Sequence, residues 1–212
     1  MKKKEEILTD HGIFLYEPIE FSLGSKILDP IISQENLLTF KSVMEKHQIH
    51  YGLWFGTLLG AIRENGFIKH DEDTDVFALE EDRNKVLNAL IDFEEAGLKV
   101  ARYNEHLISF ICKGEYIDIY FYKKSLNQRI TIDNGIDGKY LESTKMMKFL
   151  GDDFPIPHHP EEALEILYGA NWRTPIKDGK AINLATKVRI KKFFINKLPF
   201  LYKIFKKNKE KS

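Results

Sequence analysis

Two aspartates one residue apart, Asp73 and Asp75, close a dense acidic run, Asp71-Glu72-Asp73-Thr74-Asp75, that leads into the apolar stretch Thr74–Leu79. The alternation there predicts a strand, and side chains two apart on a strand share a face, so both carboxylates reach one point. Clustered carboxylates repel one another unless a cation compensates them, and their hard oxygen donors suit Mg2+ or Mn2+. A third acid, Asp118, stands in the middle of Tyr116-Ile-Asp-Ile-Tyr-Phe-Tyr122, a second strand-like run. A carboxylate in such a run is costly to bury alone, and a metal shared with Asp73 and Asp75 would compensate it. The acidic run superficially resembles a calcium loop, but Val76 stands where that loop needs its glycine and Asp82 where it needs its closing glutamate.

Upstream lie the parts of a phosphate site. Gly56-Thr57 falls between a predicted short buried strand, Tyr51–Phe55, and a predicted short helix, Thr57–Glu64, closed by Asn65-Gly66. Backbone N–H groups and a hydroxyl at a helix N-terminus suit phosphate oxygens. Gly60 would let the backbone approach closely, and Arg63, on the same helix, could clamp a second phosphate through both guanidinium edges. Metal, helix N-terminus, guanidinium and a carboxylate base are the components of phosphoryl transfer.

The segment Gly56–Val76 closely resembles the signature of the LicD, or fukutin-like, family of the nucleotidyltransferase-fold superfamily: Gly56-Thr-Leu-Leu-Gly-Ala-Ile-Arg63, then an acidic cluster ending in Asp73-Thr-Asp75. A second block, Phe154-Pro-Ile-Pro157 through Tyr168-Gly-Ala-Asn-Trp172-Arg-Thr-Pro175, resembles that family's C-terminal signature. With Asp118, the resemblance spans about residues 51–176. Two positions depart from it: Lys69-His70 replaces the family's common Pro-Trp, and Glu72 replaces an aspartate. The resemblance implies a nucleotidyltransferase-like fold and transfer of a phospho-substituent, such as phosphocholine or a polyol phosphate, from a CDP-activated donor to a sugar hydroxyl of a cell-surface glycan. By matching position, Asp73 and Asp75 would ligate metal, Asp118 would be the third ligand and candidate base, and Gly56, Thr57 and Arg63 would hold donor phosphate. His70 would touch substrate, and Trp172 would either line the pocket or pack in the core. Two rival functions stay open: a nucleotidylyltransferase that moves the nucleotide itself to a small molecule or RNA, and a silent module that binds nucleotide or glycan.

The elements that must position these residues read as α+β, a small mixed sheet flanked by helices. Residues 1–32 are expected to be irregular, with Pro18 and Pro30 as breakers. Ser33 is the expected cap of a helix running to about His47. A single amphipathic helix is expected over Glu81–Glu95, then strands at Leu98–Tyr103, Leu107–Cys112 and Tyr116–Tyr122. A loop-rich region comes next, with one helix at Pro160–Tyr168. The catalytic domain is therefore placed at residues 33–180.

The 212 residues, 43% hydrophobic and 30% charged, suit one globular domain with short additions. The lone cysteine, Cys112, excludes a disulfide framework and is expected to be a buried thiol. A net charge of zero conceals a division: Lys187–Ser212 holds ten Lys or Arg and one Glu, which leaves 22 basic and 31 acidic side chains in residues 1–186. Ile190, Phe194, Leu198, Leu201 and Phe205 form an apolar stripe through this basic end, interrupted by Pro199. Residues 181–212 are thus expected to form a basic amphipathic tail, laid on an anionic membrane surface or docked on the body. The acidic body argues against a nucleic-acid partner. Glu5 and Glu6 replace the apolar core of a secretory signal, so the expected location is cytoplasmic, peripheral at the inner face of the membrane.

Overall fold

The computed structural model describes residues 3–19, 26–132 and 134–175. The expected amphipathic tail at 181–212 lies outside the described residues.

Part of the N-terminal segment, expected to be irregular, forms regular strands. Strands β1 (Glu5–Thr9) and β2 (Gly12–Tyr16) form a hairpin in which Thr9 opposes Gly12 across the Asp10-His11 turn. Gly12 has φ +118°, a conformation open to glycine at no steric cost. Pro18 lies beyond this hairpin rather than interrupting it. The next helix, α1 (Pro30–Lys46), is capped by Asp29, whose carboxylate accepts from the N–H groups of Ile31 (2.9 Å) and Ile32 (3.1 Å). Asp-Pro supplies both a strong cap and a preorganised first turn, so the helix starts before the expected Ser33.

The central elements come in turn: β3 (Tyr51–Leu53), α2 (Phe55–Glu64), β4 (Thr74–Leu79), α3 (Arg83–Asn88) and α4 (Leu90–Glu95). The helix expected over 81–95 is divided at Ala89, after Asn88, whose side-chain amide exchanges two hydrogen bonds with Asp10 of the hairpin turn. Asparagine favours such local polar contacts over a helix interior. Then come β5 (Lys99–Tyr103), β6 (Leu107–Cys112) and β7 (Glu115–Ser125). The part expected to be loop-rich holds four more strands, β8 (Gln128–Thr131), β9 (Asn134–Asp137), β10 (Thr144–Phe149) and β11 (Asp152–Pro157), before α5 (Pro160–Tyr168). These strands are short and do not alternate regularly, so hydrophobic periodicity does not reveal them.

The main sheet runs β3-β4-β7-β6-β5, with β4 and β7 parallel and the other neighbours antiparallel. One face, carrying Val76, Ile119, Phe110 and Val100, packs under α1 and α4. There Phe93 lies with its ring centroid 4.4 Å from Phe110 and 5.6 Å from Phe40. The other face carries Phe77, Tyr120 and Tyr122 and is roofed by the start of α2: Phe55 meets Tyr120 edge-on at 4.9 Å, and Trp54 donates to the Tyr122 hydroxyl at 2.9 Å. Cys112 is half-buried rather than enclosed. Among the described residues no helix is long and apolar enough to cross a membrane.

Phe110 has no exposure and joins the sheet to both α1 and α4. Phe110→Ala should therefore destabilise the protein by about 3–5 kcal/mol, seen as a lower urea midpoint at unchanged m-value.

Candidate active site

The sheet register brings the three acids together. On the parallel pair, Asp75 of β4 lies opposite Asp118 of β7, and Asp73 enters the same face one step earlier. Ligand oxygens of Asp73, Asp75 and Asp118 all lie within 4.8 Å of one another. Asp118 is 1% exposed and Asp75 6%. Burial pushes the Asp73 carboxyl up to about 7, reinforced by the neighbouring Asp118 and Asp71. Burial first, and then Asp73, raises Asp75 well above the usual carboxylate range. Asp118 is also raised by burial, against an opposing pull from Arg102. With Asp71 beside them, these acids resist ionisation side by side.

A divalent cation fits this donor set. Asp118 Oδ1 is buried with no hydrogen-bond partner, and Asp118 offers a carboxylate oxygen to the same cluster as Asp73 and Asp75. Hard carboxylate oxygens converging from two strands are the donors that Mg2+ or Mn2+ takes.

The Gly56-Thr57 turn does something other than expected. The Gly56 N–H donates to Asp75 Oδ2 at 3.3 Å, and the Asp75 N–H donates to Thr57 Oγ1 at 2.8 Å. The Trp54 N–H closes the arrangement on the Asp75 carbonyl at 2.9 Å. Thr57 has no exposure. Both motif residues therefore hold β4 at Asp75. The tight junction places Phe55 at φ +39°, a left-handed conformation that costs a bulky residue of order 1–3 kcal/mol. Gly60, expected to make room for a ligand, makes room for the chain: a Cβ there would meet the Gly66 carbonyl at 2.5 Å.

Arg63 also has another partner set. Its guanidinium donates to Glu64 Oε1 at 2.6 Å and to the Trp172 carbonyl at 3.1 Å, tying α2 to the segment after α5. Trp172 is 5% exposed and takes the core role, with the Arg173 guanidinium 4.2 Å from its ring centroid. His70 is exposed on the turn before the acidic run.

Two residues not foreseen from sequence join the site. Asp71 packs against Gly56, where a Cβ would lie 2.5 Å from its Oδ2. That oxygen has no hydrogen-bond partner, and burial raises the carboxyl to about 6. Arg102 of β5 donates to Asp118 Oδ2 at 2.5 Å. A charge in the strand-like run Lys99–Tyr103 was the available signal for Arg102, of the same kind that singled out Asp118.

Residues 48–159 match the family described as LicD/FKTN/FKRP, nucleotidyltransferase domain. The chain belongs to this family. Membership points to a transferase, and the mixed sheet with flanking helices is a nucleotidyltransferase-like fold. Among curated relatives of this LicD-family chain, an uncharacterized protein of Rickettsia prowazekii is 34% identical over 103 residues, 47% of this chain and 36% of that protein. A counterpart in Rickettsia typhi is 30% identical over 108 residues, 34% of its length, so the match spans about a third of each of these relatives. The lipopolysaccharide cholinephosphotransferase LicD of Haemophilus influenzae is 50% identical over 38 residues, 18% of this chain and 14% of that protein. In three dimensions the chain is similar to the solution structure of the antibiotic-resistance factor ANT(2'')-Ia, with 12% identity and a TM-score of 0.52, covering 86% of this chain and 95% of that one.

The raised carboxyls have a thermodynamic consequence. Each of Asp71, Asp73 and Asp75 binds its proton more tightly in the folded than in the unfolded chain. Their contribution to stability is full below about pH 4 and is lost as pH rises through the folded values near 6 and 7. The melting temperature of metal-free protein should therefore fall between pH 5 and pH 8. Asp73→Asn should flatten that fall, and Mn2+ added at pH 8 should reverse it in the parent but not in the variant. Differential scanning calorimetry at the two pH values checks all three.

Proposed function

We propose that this protein is a divalent-cation-dependent phosphotransferase that moves a substituted phosphate, phosphocholine or a polyol phosphate, from a CDP-activated donor to a sugar hydroxyl of a cell-surface glycan. The convergence of Asp73, Asp75 and Asp118 on one buried face carries this reading. Membership of the LicD family supports a transferase, and the matched stretch in the lipopolysaccharide cholinephosphotransferase supports phosphocholine as one candidate group.

Asp73, Asp75 and Asp118 would hold Mg2+ or Mn2+, which when bound neutralises the donor diphosphate and fixes its orientation. The acceptor oxygen then forms a bond to the substituted phosphorus while the bond from that phosphorus to the bridging oxygen breaks, and CMP leaves with that oxygen. The hydroxyl proton passes to a carboxylate of the acidic cluster. Gly56 and Thr57 contribute by fixing Asp75, and Arg63 by holding α5 and Trp172 against α2. Alignment and charge neutralisation are the protein's contribution. The basic end, Lys187–Ser212, would bring the site to an anionic membrane surface carrying a lipid-linked acceptor, at about 1 kcal/mol per surface-near Lys or Arg.

The nucleotidyltransferase description of the family favours one rival, transfer of the nucleotide itself. Incubation with a panel of CDP-alcohols, Mg2+ and candidate oligosaccharides should release CMP. Pyrophosphate release from a nucleoside triphosphate would support the rival instead, and nucleotide binding without turnover would indicate a silent module. Asp73→Ala should lower CMP release at least about a thousandfold with the fold intact by circular dichroism; retained turnover in that variant removes the metal assignment. Truncation after residue 186 should weaken sedimentation with anionic vesicles and leave CMP release to a water-soluble acceptor unchanged.

A further inference from the structure

The strand register continues past the metal cluster. Asp75 of β4 is opposite Asp118 of β7, Asp118 is opposite Ser109 of β6, and Ser109 is opposite Arg102 of β5. Residues opposed in this way share a face, so a single polar row crosses four strands of an otherwise apolar sheet. Its members touch. Arg102 Nε donates to Ser109 Oγ at 2.6 Å and Arg102 Nη2 to Asp118 Oδ2 at 2.5 Å. Asp118 and Ser109 are buried, while the Arg102 side chain keeps 38% of its exposure.

The row exists because β5 carries an irregularity. Val100 opposes Phe110, but the next pair is Arg102 with Ser109, so Ala101 is an extra residue. In a regular strand Ala101 would face Ser109 and Arg102 would point to the opposite face, among Val100 and Phe110. One inserted residue reverses the facing of every later position in the strand, and bulges re-aim side chains in this way beside active sites. The Ala101 carbonyl is held by the Ile19 N–H at 2.8 Å.

We infer that Arg102 is a positioning residue of the metal site: aimed by the Ala101 bulge and braced by Ser109, it occupies Asp118 Oδ2 and so turns Oδ1 toward the cation shared with Asp73 and Asp75. The buried, unpartnered state of Oδ1 is what this division of the carboxylate produces. A planar fork with donors at two fixed angles can hold both Ser109 and Asp118; a lysine keeps the charge but not that geometry. The inference rests on the cation-dependent reading of the site.

The two possible roles of Arg102 predict opposite signs. As a simple counter-charge it competes with the cation, and its removal makes the pocket more negative and tightens metal binding. As a positioning residue its removal frees the Asp118 carboxylate to rotate and loosens binding. Mn2+ affinity of the full chain, measured by electron paramagnetic resonance of free Mn2+ without nucleotide, separates them. Arg102→Ala and Arg102→Gln should each weaken Mn2+ binding by about tenfold or more, the loss typical of a residue that orients a metal ligand. Arg102→Lys should fall between these and the parent. Unchanged or tighter Mn2+ binding in folded Arg102→Ala and Arg102→Gln overturns the inference. Should both variants fail to fold, Arg102→Lys decides, and parental affinity there overturns it equally. Mn2+ binding by the parent with no response at Arg102 defeats only the positioning role, whereas no binding by the parent defeats the cation-dependent reading itself.

Discussion

Mutual repulsion among buried carboxylates governs this structure. Asp73, Asp75 and Asp118 meet on one face of the sheet, with Asp71 beside them, in an environment that penalises every negative charge. Once these groups must ionise, a fold gains nothing in stability from such an arrangement, since charges that repel one another are costly to collect in a low dielectric. Much of the surrounding architecture serves to hold them there. The β3–α2 junction devotes the N–H groups of Trp54 and Gly56 and the Thr57 hydroxyl to Asp75 alone, and accepts a left-handed Phe55 to do so.

The parallel pairing of β4 with β7 is the economical way to do this. It sets Asp75 and Asp118 side by side although they lie far apart in the chain, and it leaves the opposite face of both strands apolar for α1 and α4. The two faces thus divide the work. One is an aromatic core anchored on Phe40, Phe93 and Phe110, and it supplies the stability that the other face consumes. The site itself holds a left-handed residue, Phe55, and two buried carboxylate oxygens without partners, on Asp71 and Asp118.

Much of this was legible in the amino-acid order. Asp73 and Asp75 stood out because a strand repeats every two residues, and Asp118 because an acid in an apolar run demands a partner. The Gly56-Thr57 motif was visible too, but its hydrogen-bonding partner was not: a glycine N–H that meets phosphate and one that meets Asp75 are written identically. Arg63 had the same ambiguity, resolved by the Trp172 carbonyl. Other features left no periodic trace. β10 alternates too weakly to be told from loop, and the hairpin at Glu5–Tyr16 was obscured by the prolines beyond it. Arg102 was visible as a charge in a strand-like run, but its facing was not, because that depends on a register shift that no residue type announces.

The Ala101 bulge therefore gives the fold a means of adjustment separate from its signature motif. β5 is an edge strand, tolerant of length changes that the centre of a sheet would reject. Regular pairing of this strand without its bulge, at unchanged length, would put the Ala101 methyl in place of the Arg102 guanidinium at the end of the polar row without altering a letter between Gly56 and Val76. Chains that agree throughout that segment can consequently differ in the charge of their pockets, and a comparison confined to the signature would score them as equivalent.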